Sequence, residues 1–283
     1  MKNILVTGSN GQLGSEIKAI ADKYHDFRFY FTDVDELDLT DKSAVADFFA
    51  QNNINVCINC AAYTAVDKAE DEKELALKIN RDAVETLAKN CQKNQSLLVH
   101  ISTDYVFNGM NYKPYTEEDV PSPESYYGLT KLQGEKAALT NDKTVILRTA
   151  WLYSKYGNNF VKTMLRLGRE KDKIGVVVDQ IGTPTYAGDL AKAILQIVTN
   201  YDEKKGKIYH FSNEGAISWF DFAKAIMMIK QFSCEVNPIE SKDFPAKANR
   251  PFYSVLNKSK IKKDYQVVIP YWLDSLKLVL EEL

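Results

Sequence analysis

Tyr127 and Lys131 stand four residues apart in the run Tyr127-Gly-Leu-Thr-Lys131. On a helix that spacing puts both side chains on one face. A free phenol titrates near ~10 and is a poor proton donor at neutral pH. An ammonium beside it favours the phenolate and brings its pKa down. Upstream, Ser102-Thr103-Asp104-Tyr105 follows an apolar run, and the Thr103 hydroxyl can donate a hydrogen bond to a reacting oxygen. Tyr126 is the rival phenol, but at five residues from Lys131 it points elsewhere. The trio Thr103, Tyr127 and Lys131 is therefore expected to move a proton at a carbonyl or an alcohol.

A second chemical signal opens the chain. Gly8-Ser-Asn-Gly11-Gln12-Leu13-Gly14 follows the apolar run Ile4–Val6 and leads into a helical pattern. Glycines there let the backbone turn tightly and approach a pyrophosphate at a helix N-terminus. The spacing departs from the commoner G-x-G-x-x-G. Asp33 lies 19 residues after Gly14, at the end of a second strand, where a carboxylate can hold an adenosine ribose. That carboxylate disfavours a 2′-phosphate, yet the choice between NADH and NADPH stays open. Asp38 and Leu39 can flank the adenine, and Lys131 can also reach the nicotinamide ribose. The two signals together predict hydride transfer between a nicotinamide cofactor and a carbonyl or alcohol.

These residues need a scaffold. Strands are predicted at Ile4–Val6, Phe27–Phe31, Val56–Cys60, Leu97–Ile101 and Thr144–Arg148, and helices at Gln12–Tyr24, Asp41–Gln51, Leu75–Asn94 and Tyr126–Leu139. Strands apolar on both faces and alternating with helices predict an α/β fold with a doubly wound parallel sheet of Rossmann type. Crossovers are right-handed, and ligands bind outside the carboxyl ends of the strands. The rhythm loosens after about residue 150. Helices are expected at Phe160–Glu170, Asp189–Asn200, near Trp219–Ile229 and near Tyr271–Leu283, with a strand near Ile208–Ser212. Residues 178–186 and 247–251 read as loops. The division expected is a dinucleotide-binding domain over 1–150, with a returning segment near 178–200. A smaller α/β substrate-binding domain takes 151–177 and 201–283.

Composition narrows the class. The 283 residues carry 36 basic and 38 acidic side chains, a net charge of −2, and show no basic stripe, which argues against nucleic acid as a partner. The apolar runs are strand-sized and too short to span a bilayer. Met1-Lys-Asn-Ile-Leu-Val-Thr runs directly into a strand, leaving no signal peptide. Four cysteines fit a reducing compartment, so a cytoplasmic location is expected. Cys57 and Cys60 face opposite sides of a strand and read as buried thiols.

The chain resembles the extended short-chain dehydrogenase/reductases. Within them, Cys60-Ala-Ala-Tyr-Thr-Ala-Val-Asp-Lys-Ala-Glu70, Ser102-Thr-Asp-Tyr-Val-Phe107, Tyr127-Gly-Leu-Thr-Lys-Leu-x-Gly-Glu135, Asp179-Gln-x-Gly-x-Pro-Thr185 and Arg250-Pro251 look like the dTDP-4-dehydrorhamnose reductase family. The resemblance implies NADPH or NADH as cofactor and a dTDP-sugar substrate, the 4-keto sugar being carried to dTDP-L-rhamnose. It implies Thr103, Tyr127 and Lys131 as catalytic residues. Gly8, Gly11, Gln12, Leu13 and Gly14 would line the pyrophosphate turn. Asp38 and Leu39 would meet the adenine, and Ala61, Ala62 and Tyr63 would line the cofactor. Asp104, Tyr105, Val106, Phe107 and Trp151 would lie near the deoxysugar, and Arg250 near the diphosphate. Some members hold a divalent cation with glutamates at a subunit contact. Glu16 is present, but Tyr186-Ala-Gly-Asp189 lacks a matching glutamate, so no metal is expected and a homodimer is left open. The sister 4,6-dehydratases carry an acidic residue where Tyr105 stands. A regulatory subunit resembling that of methionine adenosyltransferase is the non-catalytic alternative.

Overall fold

The computed structural model describes residues 1–203 and 207–283. Five strands, β1 (Lys2–Thr7), β2 (Phe27–Thr32), β3 (Val56–Asn59), β4 (Leu97–Thr103) and β5 (Thr144–Thr149), form a parallel sheet with a sixth strand, Ile208–His210. From the Ile208–His210 edge the order is β5, β4, β3, β1 and β2. Strand β1 pairs with both β2 and β3, so the winding reverses beside its carboxyl end. A crevice opens at such a reversal.

Both faces of β1 are buried, as a parallel strand between helical layers requires. Ile4 and Val6 pack with Leu13 and Ile17 of α1 (Gln12–Ile20) and with a helix at Ala187–Thr199. Leu5 faces the other layer, with Phe49 of α2 (Lys42–Asn52) and with Val84 and Leu87 further along. Local chemistry starts the helices. Asp41 caps α2 by accepting from the amides of Ser43 and Ala44. Gly11 precedes α1 and offers no side-chain cap, which leaves the first amides of that helix for another acceptor.

The single helix expected over Leu75–Asn94 is broken. It consists of α3 (Lys73–Leu77), a π turn at Lys78–Asp82, and α4 (Ala83–Lys93). Within the turn, the Asn80 side chain accepts from the Tyr63 amide, donates to the Tyr63 carbonyl and donates to the Thr130 hydroxyl. The next helix, α5 (Tyr126–Ala138), crosses against that turn. A Cβ at Gly134 would come within 2.1 Å of the Asn80 carbonyl oxygen.

The second half builds its own apolar cluster. Two further strands, Lys173–Val177 and Glu235–Ile239, pair in parallel. Val161, Leu165, Phe222, Ile226, Trp272 and Leu276 pack around them from three helices. The loop expected over 178–186 contains two two-residue strands. Ile181–Gly182 pairs antiparallel with Ile217–Ser218, and Thr185–Tyr186 pairs parallel with Leu152–Tyr153. Two residues cannot show an alternation, so no local pattern announces them. A helix at Ser259–Tyr265 was likewise not expected.

One buried ion pair ties α5 to the sheet. Glu135 and Arg148 are each 2% exposed. Arg148 Nε and Nη2 donate to Glu135 Oε1 and Oε2 at 2.8 Å each, and Ser102 Oγ donates to Oε1 at 2.6 Å. Removing one partner strands the other charge away from water, which typically costs about 3–5 kcal/mol. Glu135→Ala should lower unfolding stability by that amount in a urea titration. A loss under ~1 kcal/mol would mean that the pair does not fix α5.

Candidate active site

The glycine turn works by sterics. Gly8 has φ +62°, and a Cβ there would lie 2.7 Å from the Ala61 amide nitrogen. A Cβ at Gly14 would come within 2.5 Å of Gly8 O and of Ser9 Cα, so Gly14 serves to seat α1 on the turn. Gly11 differs. A Cβ there would meet only Gly8 O, at 3.2 Å, because its other side faces the groove. The uncapped start of α1 and this open side fit a pyrophosphate.

The groove has two halves that share Gly8, Gly11, Cys60 and Ala62. One half, about 640 Å³, is lined by Asp33, Asp38, Leu39, Ala61 and, from the π turn, Lys78. Asp33 is held rigid there. Its Oδ2 accepts from the Asn10 amide at 2.9 Å and its Oδ1 from the Val34 amide at 2.8 Å. The Thr40 backbone and side chain hold the Asp38 carboxyl below its ordinary range.

The other half, about 520 Å³, is lined by Gln12, Leu13, Thr103, Asp104, Tyr105, Tyr127, Lys131 and Trp151. The trio anticipated from spacing therefore shares one wall. Helix α5 brings Tyr127 and Lys131, its start capped by the Ser125 hydroxyl on the Gly128 amide. Strand β4 ends on Thr103. Tyr126 points elsewhere, its amide donating to Glu70 and its ring lying under the Lys73 ammonium.

Electrostatics here differ from the simplest expectation. Burial pushes the Tyr127 phenol up to about 12, opposed by the neighbouring Thr103 hydroxyl and reinforced by the Asp104 charge. Lys131 is not part of that balance. Its Nζ donates to the Ile101 carbonyl at 2.6 Å, and burial brings its own pKa down to about 8. The Thr103 hydroxyl is also engaged. It accepts from the Tyr105 amide at 3.2 Å and donates to Asp104 Oδ1 at 3.0 Å. Its single proton is thus not free for a reacting oxygen.

Several residues lie where sequence could not put them. Trp151 has φ +48°, a strained value for a bulky residue, and its indole stacks on Trp219 at 3.6 Å. Gly157, Asn158 and Asn159 also line the groove, and Asn159 Nδ2 donates to Gln12 Oε1 at 2.9 Å. Val106 and Phe107 are in the core instead, packed with Tyr115, Ala150 and Leu256, and Phe107 lies under the Arg148 guanidinium. They close the wall from behind because the 3₁₀ turn at Asp104–Val106 carries the chain inward. The Tyr63 phenol turns toward Glu72, to which it donates at 2.7 Å. Arg250 pairs with Asp67, with Nη2–Oδ2 at 2.5 Å and Nη1–Oδ1 at 3.1 Å, and its charge bears on Tyr105. Glu16 accepts from Ser154 at 2.6 Å and from Tyr186 at 3.2 Å.

Residues 1–283 match the family model described as the RmlD substrate binding domain. The chain belongs to that family. It is 41% identical to the dTDP-4-dehydrorhamnose reductase of Aggregatibacter actinomycetemcomitans over 98% of both chains. A crystal structure of a dTDP-4-dehydrorhamnose reductase from Clostridium acetobutylicum superposes with a TM-score of 0.95 at 43% identity, covering 99% of each chain. The Bacillus anthracis dTDP-4-dehydrorhamnose reductase, solved in complex with NADP, gives 0.95 at 39% identity over the whole of both chains. In this RmlD-family chain, the groove should accept a nicotinamide dinucleotide across the Gly11 side. Gly11→Val should weaken NADPH binding at least ~10-fold, since the pyrophosphate can no longer approach the backbone. The backbone at Gly11 is ordinary, so the melting curve should change little. Unchanged affinity by fluorescence titration would place the phosphates elsewhere.

Proposed function

We propose that this chain reduces dTDP-4-dehydro-6-deoxy-L-mannose to dTDP-L-rhamnose with NADPH or NADH. The observation that carries this reading is the Thr103, Tyr127 and Lys131 wall at one end of a dinucleotide groove, in a chain of this family. Gly8, Gly11, Gln12 and Leu13 hold the pyrophosphate, with Gly14 packing behind them. Asp33 takes the adenosine ribose, Asp38 and Leu39 flank the adenine, and Ala61 and Ala62 line the path toward the nicotinamide. Lys131 reaches the nicotinamide ribose. When bound, the cofactor supplies the hydride.

The protein manages the proton. Tyr127 donates to the sugar C4 oxygen as it gains charge. A pKa near 12 keeps the phenol protonated at neutral pH, so the donor is loaded before reaction. Lys131, titrating near 8, is mostly cationic there and stabilises the developing negative charge. Thr103 supports the phenolate that the transfer leaves behind by turning its one proton from Asp104 to the phenolate oxygen. Asp104, Tyr105 and Trp151 face the deoxysugar. Arg250 meets the diphosphate by exchanging Asp67 for phosphate oxygens, a fork geometry that suits both partners. We place the reaction in the cytoplasm, where the free thiols of Cys57, Cys60, Cys91 and Cys234 stay reduced.

The test is loss of NADPH or NADH absorbance with the 4-keto-6-deoxy sugar nucleotide. Tyr127→Phe should bind cofactor normally and lose about 10²–10⁴-fold in kcat. Near-normal turnover would end its assignment as donor. Arg250→Ala should raise KM for the sugar nucleotide and leave NADPH affinity alone. If Arg250 served only its pair with Asp67, the variant would lose ~0–1 kcal/mol of stability and KM would stay put.

A further inference from the structure

A side-chain amide has a donor end and an acceptor end, and an anion tells them apart. Gln12 is the first residue of α1 and lines the groove beside Gly11. Its side chain lies against the loop that precedes the helix Phe160–Glu170, in the second half of the chain. Gly157 takes φ +61° in that loop, and a Cβ on it would sit 3.1 Å from Gln12 Cγ. The loop is thus closed onto the Gln12 stem.

Asn159 decides which way the Gln12 amide points. It caps the helix, its Oδ1 accepting from the Lys162 amide at 3.1 Å. A backbone N–H can only donate, so the opposite end of the Asn159 side chain is the Nδ2 group. Nδ2 donates to the Ser154 carbonyl at 2.7 Å and to Gln12 Oε1 at 2.9 Å. A backbone carbonyl can only accept, which fixes the same orientation a second time. Both Nδ2 protons are then engaged, and only an oxygen can face them. Gln12 therefore turns Oε1 to the loop. Its Nε2 has no hydrogen-bond partner among the described residues.

We propose that Asn159 is a positioning residue for the cofactor: by holding Gln12 Oε1, it presents Gln12 Nε2 as a donor to the pyrophosphate. The inference rests on the dinucleotide reading above and deepens it. The turn has use for such a donor. Gly11 brings no side chain to the start of α1. The two cations that line the groove are placed elsewhere, Lys78 by Asp38 and Lys131 on the Ile101 carbonyl. The pyrophosphate then meets neutral amides, and the orientation of each one matters. A reversed Gln12 would aim the lone pairs of Oε1 at phosphate oxygens. The second half of the chain thereby sets the polarity of a residue that belongs to the first.

The experiment is a double-mutant cycle read as affinity. Asn159→Ser keeps an oxygen at the helix cap and removes the amide donor. NADPH affinity, by fluorescence titration, should fall about 10-fold in Gln12→Ala and about 5-fold in Asn159→Ser, the scale of one lost hydrogen bond. The double variant should match Gln12→Ala within ~2-fold, because Asn159 acts through Gln12. ADP-ribose, which carries the pyrophosphate without the nicotinamide, should show the same pattern. Gln12→Glu keeps an acceptor toward Asn159 and puts a carboxylate oxygen where Nε2 stood, so it should bind NADPH more weakly than Gln12→Ala.

Losses that multiply in the double variant would mean that Asn159 acts without Gln12, and the proposal would fall. It would fall equally if Gln12→Glu bound NADPH as the native chain does, or if the losses appeared with NADPH and not with ADP-ribose. A melting point lowered in Asn159→Ser with NADPH affinity kept would make the residue a helix cap and no more. A native chain that binds NADPH and does not reduce the 4-keto sugar would end the reductase reading, and the cycle would still decide the role of Asn159. A native chain that binds neither NADPH nor ADP-ribose would end both.

Discussion

The position of α5 against the end of β4 is the constraint on which the site depends. Tyr127 and Lys131 ride on that helix, and Thr103 and Asp104 follow that strand. The fork between Glu135 and Arg148, joined by Ser102, fastens the three elements at once: α5 through Glu135, β5 through Arg148 and β4 through Ser102. It lies one helical turn below Lys131, whose ammonium feels the Glu135 carboxylate. Two glycines on α5 let it come close. A Cβ at Gly134 would strike the Asn80 carbonyl, and one at Gly128 would come within 2.2 Å of the Tyr105 carbonyl. Ionic geometry sets the orientation of the helix, and missing side chains set its distance.

That closeness explains the electrostatics. A helix packed this tightly leaves Tyr127 and Lys131 without water, and desolvation becomes the largest influence on both. Burial disfavours the charged form of each, raising the phenol and lowering the ammonium. The two pKa values move apart, the phenol to about 12 and the ammonium to about 8: a loaded acid and a cation that can still be discharged. Such a site binds charge poorly in the ground state and rewards charge that develops during reaction.

The groove itself is a consequence of winding. Where β1 turns toward both β2 and β3, the loops after these strands diverge and leave space above the sheet. Gly8 and Gly14 keep the first loop low, so the helix start can face the space. Trp151 and Asn159 line the other side from the second half of the chain. Their contacts with Trp219 and Gln12 join segments far apart in sequence, as does the pair of Arg250 with Asp67.

The chemistry was legible in the sequence because each part of it is local. The glycine turn needs only its own backbone, and a four-residue helical spacing is enough to put Tyr127 beside Lys131. The strands of the sheet were legible because burial on both faces makes them uniformly apolar. What local pattern could not carry was anything whose cause lies elsewhere in the chain. The π turn at Lys78–Asp82 answers to α5, the two-residue strands answer to each other, and Val106 and Phe107 enter the core only because a 3₁₀ turn redirects them. The same holds for protonation. Spacing suggested that Lys131 would tune Tyr127, whereas the folded chain turns that lysine to the Ile101 carbonyl and lets burial, Thr103 and Asp104 set the phenol. Residue identity decided which groups could exchange a proton. Tertiary packing decided which of them face one another and how much water they keep, because desolvation and hydrogen-bond geometry exist only once distant segments have met.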